Sequence, residues 1–193
     1  MRKRSEVLAH KRATLTGRVV DSYANVAEDS DDGSLANDLR DLAPRVHELS
    51  QLLVDVLGVT DVGASFPHRV AYHPTCHSLR VLKVHEQPLQ LLRSVRGLQL
   101  VDLAGATTCC GFGGTFAVKN PDTSVAMLAD KLAAVHDSGA EVLCALDNSC
   151  LIHIGGGASR LGSGFRTLHL AEILASRAAH PVTGQLEPST ARA

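Results

Sequence analysis

"LQLVDLAGATTCCGFGGTF", residues 98 to 116, runs from a short apolar strand signal into two adjacent cysteines and a glycine-rich bend. Adjacent cysteines rarely bond to each other, because the small ring strains the peptide between them. Each sulfur is expected to face something else. The same grammar recurs along the chain. "RVAYH" (69 to 73) reads as a strand leading to Cys76, and "EVLCAL" (141 to 146) as a strand leading to Asp147 and Cys150. "RTLHL" (166 to 170) is a last short strand running into a helix, "AEILASRAA". Between these runs lie the helical stretches "SLRVLKV", "PLQLLRSV" (88 to 95) and "SVAMLADKLAAVHDSG" (124 to 139). Strands that alternate with helices predict an α/β fold, a parallel sheet with helices on both faces. No internal repeat is visible.

This pattern gives the cysteines a common address. Cys76, Cys109, Cys110 and Cys150 each follow a predicted strand, in the loop toward the next helix. In an open parallel sheet those loops share one edge, at the carboxyl ends of the strands, where ligands bind. Helix N-termini near that edge favour thiolates or an anionic cluster. Four thiolates suit zinc or an iron–sulfur cluster. Structural zinc sites favour paired C-x-x-C knuckles, whereas the one neighbouring pair here is directly adjacent. Adjacent sulfurs reach different irons of a larger cluster more easily than one small ion, so spacing favours the cluster, with zinc as the alternative. Gly111, Gly113 and Gly114 let the backbone approach such a cluster and donate N–H bonds, or else simply form a tight turn.

The bulk properties set limits. A chain of 193 residues holds one ordinary domain and some tail. Nineteen basic against twenty acidic residues give a net charge of -1, so no basic field attracts nucleic acid or anionic membrane. The absence of Trp, with only four Phe and two Tyr, argues against a base-stacking platform. No apolar run approaches a transmembrane length, and "MRKRSEVLAHKRATL" lacks the apolar core of a signal peptide. Five cysteines in a chain read as cytoplasmic favour metal or thiol chemistry over disulfides.

Residues 1 to 34 carry few structural signals, and "AEDSDDGS" (27 to 34) reads as a solvated loop. Leu39, Leu42, Val46, Leu49, Leu53 and Val56 form one helical stripe that Gly58 can cap, with Pro44 as a kink or true start. The expected organisation is a poorly structured segment 1–34, a domain 35–178 and a flexible tail 179–193. Cys144, inside an apolar strand, is expected to be core. His73, His77, His153 and His169 are expected to be hydrogen-bonded structural groups or to orient thiolates. Lys119 and Arg80 are surface residues or balance cluster charge. "IGGGASR" (154 to 160) has the glycines of a phosphate loop but not its Lys-Ser/Thr, which argues against nucleotide binding.

The set "YHPTCHSLR…CCGFGGTFAVKNPDTSVAMLADKL…DNSCLIHIGG…RTLHLAEIL" resembles the second cysteine-rich (CCG) domain of the lactate utilisation protein A group. That group is related to the glycolate oxidase iron–sulfur subunit and to the cysteine-rich subunit of heterodisulfide reductase. The likeness covers about residues 36 to 177. It implies a 4Fe-4S-type electron-transfer subunit in oxidation of L-lactate to pyruvate, or of a related 2-hydroxy acid such as glycolate. It also implies partner subunits, one ferredoxin-like and a third. The family pattern ends in C-x-x-C, and Asp147 stands where its first cysteine would be. Cys76, Cys109, Cys110 and Cys150 are then the expected ligands, with Asp147 an optional, weaker oxygen ligand. The resemblance also implies a preceding cysteine-rich domain that this sequence lacks, and an uncovered surface prone to self-association. Two other readings stay open: a thiol/disulfide oxidoreductase of the heterodisulfide reductase kind, and a cluster-free assembly module.

Overall fold

The computed structural model describes residues 15–178. Four strands, β1 (Arg69–Tyr72), β2 (Gln99–Val101), β3 (Val142–Ala145) and β4 (Arg166–His169), form one sheet in the order β2-β1-β3-β4. Every pairing is parallel, with Ala71 opposite Val101 and Leu143, and Cys144 opposite Leu168. All four strands therefore end at one edge.

Alternation along the strands sorts side chains to two faces, because successive residues of a strand point opposite ways. Val70, Tyr72, Val142, Cys144 and Leu168 pack with Leu91 and Leu92 of α4 (Gln87–Arg93) and with Ile173 and Leu174 of α8 (Leu170–Ala175). Ala71 and Leu143 face the other way, onto Leu132 and Val135 of α6 (Pro121–Asp137) and Ile154 and Ala158 of α7 (Asn148–Leu161). The expected α/β sheet with helices on both faces is what forms.

Local chemistry explains where the helices start and stop. The short α5 (Thr115–Lys119) leads into α6, which Pro121 opens where its missing N–H costs nothing, and Gly139, at φ 65°, reverses the chain after it. The triple glycine lies inside α7, not in a loop. Its purpose is close approach: a Cβ on Gly155 would stand 2.7 Å from Thr167 Oγ1, and one on Gly157 would stand 2.9 Å from Leu128 Cδ2. Small residues at these two positions let α7 settle onto β4 and α6.

Three expectations are corrected. The segment before residue 35, read as poor in structure, contains a helix, α1 (Leu15–Asp29). Only 30 to 32 of the acidic stretch form a turn, with Asp32 accepting from the Leu35 N–H to start α2 (Gly33–Leu42). α1 packs on α2 and the following turn, and Ala24, Ala27, Ala36 and Ala43 are buried there. Small apolar residues carry a weak periodic signal, so this hairpin leaves little trace in the residue pattern. The expected single stripe from Leu39 to Val56 is broken instead. A 3-10 turn (Ala43–Arg45) containing Pro44 follows α2, and α3 (Leu49–Gln51) begins afresh, capped by Glu48, before widening into a π-helical segment (Leu52–Val56). The helix expected in "SLRVLKV" is likewise a π-helical segment, His77–Leu82. The flexible tail proposed for 179–193 lies outside the described residues, as do residues 1 to 14.

Candidate metal centre

The strand order reverses between β1 and β3: the chain passes from β1 to β2 on one side and then crosses to β3 on the other. Loops leaving β1 and β3 at their carboxyl ends diverge, and the crevice between them is where such sheets bind ligands. His73 and Cys76 follow β1, Cys109 and Cys110 follow β2, and Asp147 and Cys150 follow β3. The sheet delivers all of them to this edge.

Three donors converge there. A ring nitrogen of His73, Cys110 Sγ and Cys150 Sγ lie within 4.8 Å of one another, all three residues are buried, and together they can hold a metal ion. All five cysteines are free. The Cys150 thiol donates to Cys110, which pulls Cys110 well below the ordinary thiol range. The His73 ring and the Phe112 N–H act in the same direction, against burial. Cys150 is pushed up by that same bond, then by burial and by the charges of Cys110 and Asp147. Cys76 is half-buried and faces Cys109; burial raises its pKa first, and the neighbouring thiol adds to the rise. The Gly111 N–H donates to Cys109 Sγ at 3.4 Å, so the glycine bend does turn a backbone donor toward a site sulfur.

The bend itself is clamped. Gly111, Gly113 and Gly114 all have positive φ, at 92°, 52° and 60°. Ser124, buried on α6, donates through Oγ to the Gly111 carbonyl at 2.8 Å. These glycines form a tight turn, and Ser124 ties the bend that carries the cysteine pair to α6.

Two residues occupy positions other than those expected. Cys150 is not in a loop but in the first turn of α7. Asp147 is the N-cap of that helix: its Oδ1 accepts from the Ser149 N–H at 2.9 Å and from Ser149 Oγ at 2.6 Å. It does not join the group of three donors. The cap explains the Asp-x-Ser spacing, since a short carboxylate reaches the free N–H groups of the first turn.

The other singled-out residues sort cleanly. Cys144 is fully buried in the core, where burial raises its pKa, and it is not among the three donors. His169 caps α8, accepting from the Ala171 N–H, while its Nε2–H donates to the Leu146 carbonyl. Arg80, Lys119 and His77 are exposed. His153, one turn beyond Cys150, has a buried Nε2 and packs its ring against Phe112 at 5.7 Å.

The cation at the site is one that sequence reading passed over. Lys131 of α6 is only 3 % exposed, and its Nζ donates to the Gly105 carbonyl at 2.7 Å and the Ala106 carbonyl at 3.4 Å. Burial lowers its pKa, and the nearby Cys110, Cys109 and Cys150 oppose that shift. The Ala106 carbonyl also accepts from His73 Nδ1 at 2.9 Å. One loop, pinned by α6, thus holds both the imidazole and the cysteine pair. In the sequence Lys131 looks like any lysine on an amphipathic helix. Lys131→Met keeps the volume but strands the Gly105 carbonyl, and its expected cost is about 2 kcal/mol. A lowered denaturant midpoint at unchanged slope is the expected reading; an unchanged midpoint would show that the clamp is dispensable.

The geometry has counterparts among known proteins. Residues 70–155 match the model of the CCG family, described as a cysteine-rich domain. This segment is a CCG cysteine-rich domain. The matched span runs from β1 into α7 and so contains all six candidate ligands, including Asp147 and His73. The chain is 48% identical over 134 residues to lactate utilization protein A of Oceanobacillus iheyensis, covering 69% of this chain and 55% of that protein. To the protein of the same name from Bacillus velezensis it is 46% identical over 147 residues, covering 76% and 62%. For Bacillus subtilis the figures are 43% over 147 residues, again 76% and 62%. The chain thus spans somewhat over half the length of these curated relatives. The relatives align with more of the chain than the CCG model does, so the likeness extends beyond the cysteine loops.

Proposed function

We propose that this chain is an iron–sulfur electron-transfer component in lactate utilisation, serving the oxidation of L-lactate to pyruvate or of a related 2-hydroxy acid. The observation that carries this reading is the convergence of His73, Cys110 and Cys150 at the switch point of the sheet, with Cys76 and Cys109 beside them. The relatives named for lactate utilization supply the substrate class. The donor set fits a soft metal centre: buried thiols, one of them already favoured as thiolate, and a buried imidazole nitrogen without a hydrogen-bond partner.

In this reading Cys76, Cys109, Cys110 and Cys150 hold a 4Fe-4S-type cluster, and the Gly111 N–H moderates the charge on the Cys109 sulfur. Asp147 holds α7 in register so that Cys150 faces the crevice. Lys131 places positive charge beneath the thiolates, which lowers the cost of gathering them in a buried site. When bound, the cluster would accept and pass on one electron at a time. Removing two electrons from a hydroxy acid therefore calls for partners, which we take to be a ferredoxin-like iron–sulfur subunit and a third subunit. Free cysteines agree with a reducing, cytoplasmic setting, and no helix among the described residues is long and apolar enough to cross a membrane. Burial of Cys110 and Cys150 speaks against a thiol/disulfide enzyme, whose substrate must reach the attacking sulfur.

Anaerobic reconstitution with ferrous iron and sulfide tests the proposal. Stoichiometric iron and sulfide with an EPR signal on oxidation or reduction is the expected result. A chain that returns from reconstitution free of iron, with its site thiols open to alkylation, would overturn it.

A further inference from the structure

We infer that His73 is itself a ligand of the metal centre, bonding through Nε2, so that the site is a mixed nitrogen and sulfur site and not purely thiolate. The inference deepens the iron–sulfur reading above and rests on it for the identity of the metal. His73 is 1 % exposed, and its Nε2 is a buried polar atom with no hydrogen-bond partner of acceptable geometry. A buried polar group left this way costs free energy unless something else meets it. The other ring nitrogen is fixed. Nδ1 lies 2.9 Å from the Ala106 carbonyl, which can only accept, so Nδ1 carries a hydrogen and Nε2 is the ring nitrogen left to ligate a metal. A backbone carbonyl on the far nitrogen is the arrangement that orients histidine ligands and raises their basicity.

What the ring faces is the pair of sulfurs: one of its nitrogens lies within 4.8 Å of both Cys110 Sγ and Cys150 Sγ, and Nδ1 is already taken by Ala106. His73 has little freedom to be elsewhere. It directly follows β1, and its own N–H donates to the Cys144 carbonyl at 2.8 Å, which extends the β1–β3 ladder by one residue to the crevice. Asp147, the other non-sulfur candidate, has Oδ1 committed to capping α7. His153 also has a buried, unpartnered Nε2, but its ring lies against Phe112 and it is outside the group of three. It serves as the control.

The test uses the full chain with histidine labelled by nitrogen-15 in the ring. After reconstitution with iron and sulfide, pulsed EPR of the paramagnetic state should show a strongly coupled ring nitrogen. His73→Ala should lose that coupling, and His153→Ala should keep it. If His73→Ala retains too little iron to measure, His73→Cys offers a thiolate from the same position and should hold iron without the nitrogen coupling. A second arm uses cobalt(II) alone on the metal-free chain, read by X-ray absorption, where imidazole gives a characteristic multiple-scattering pattern. Imidazole scattering that disappears in His73→Ala upholds the ligand even if no iron–sulfur cluster forms, in which case only the cluster reading fails. A cluster that forms with no ring-nitrogen coupling, or with a coupling that survives His73→Ala, overturns the ligand and leaves the cluster standing. Cobalt(II) bound without imidazole scattering overturns it as well.

Discussion

Cys110→Ser is expected to strip the chain of its metal. Cys110 is 1 % exposed and sits at the junction of the site, within 4.8 Å of both a His73 ring nitrogen and Cys150 Sγ. Its thiolate is the form that the Cys150 thiol, His73 and the Phe112 N–H all favour. Serine keeps the volume nearly unchanged but replaces a soft, readily ionised donor with a hydroxyl that stays protonated. Losing an outer partner of a ligand typically costs roughly 10–100-fold in metal affinity, and losing the ligand itself should cost more. Iron and sulfide per chain after reconstitution and desalting should fall to the background of a mock-treated sample. Cys144→Ala provides the contrast, because Cys144 lies fully buried in the core and apart from the three donors. It should lose some stability and keep its iron. Equal iron retention by Cys110→Ser and the parent chain would remove Cys110 from the site.

Gly111→Ala should damage both the fold and the site. Gly111 has φ 92°, and a Cβ there would stand 2.5 Å from the Ser124 carbonyl oxygen and 3.1 Å from Met127 Cβ. The left-handed backbone alone costs an L-residue roughly 1–2 kcal/mol. The contact with a helix carbonyl cannot be relieved by rotating a side chain, so either α6 or the bend must move. Together these effects should cost about 3 kcal/mol, a fall in melting temperature of roughly 6–10 °C for a chain of this size. Because the bend carries Cys109 and Cys110, metal retention should drop with it. Gly114→Ala separates the two causes, since Gly114 has φ 60° but nothing within 4 Å of its Cβ position. It should show the backbone penalty without the collision. Circular dichroism melts and iron analysis of both variants decide the matter; a Gly111→Ala chain that melts like the parent would refute the close-approach argument.

Much of this site could be read from residue order. A strand is legible when β-branched and apolar residues run between breakers, and "RVAYH", "LQLVDL", "EVLCAL" and "RTLHL" all became β1 to β4 within a residue or two. Once strands alternate with helices, parallel pairing puts every post-strand cysteine at one edge. The address of Cys76, Cys109, Cys110 and Cys150 was therefore a matter of topology, which the order of elements determines. So was the burial of Cys144, which lies inside a strand instead of after one.

Partner choice was not legible, because it depends on distances between residues far apart in sequence. Nothing in "YHPTC" distinguishes a histidine hydrogen-bonded through both nitrogens from one with Nε2 left over; that requires the Ala106 carbonyl, 33 residues away, to take Nδ1. Lys131 is one of the polar positions on a helix until α6 docks and carries it under the loop of Gly105 and Ala106. Asp147 reads as an optional ligand because it stands where the family pattern has a cysteine; what residue order does not show is that its Oδ1 accepts from the backbone N–H and hydroxyl of Ser149. The sequence by itself determined the sheet and the edge at which the cysteines gather. Only the tertiary structure decided which atoms face one another there, because side-chain hydrogen bonds and buried charge are settled by packing across the sheet and not by local propensity.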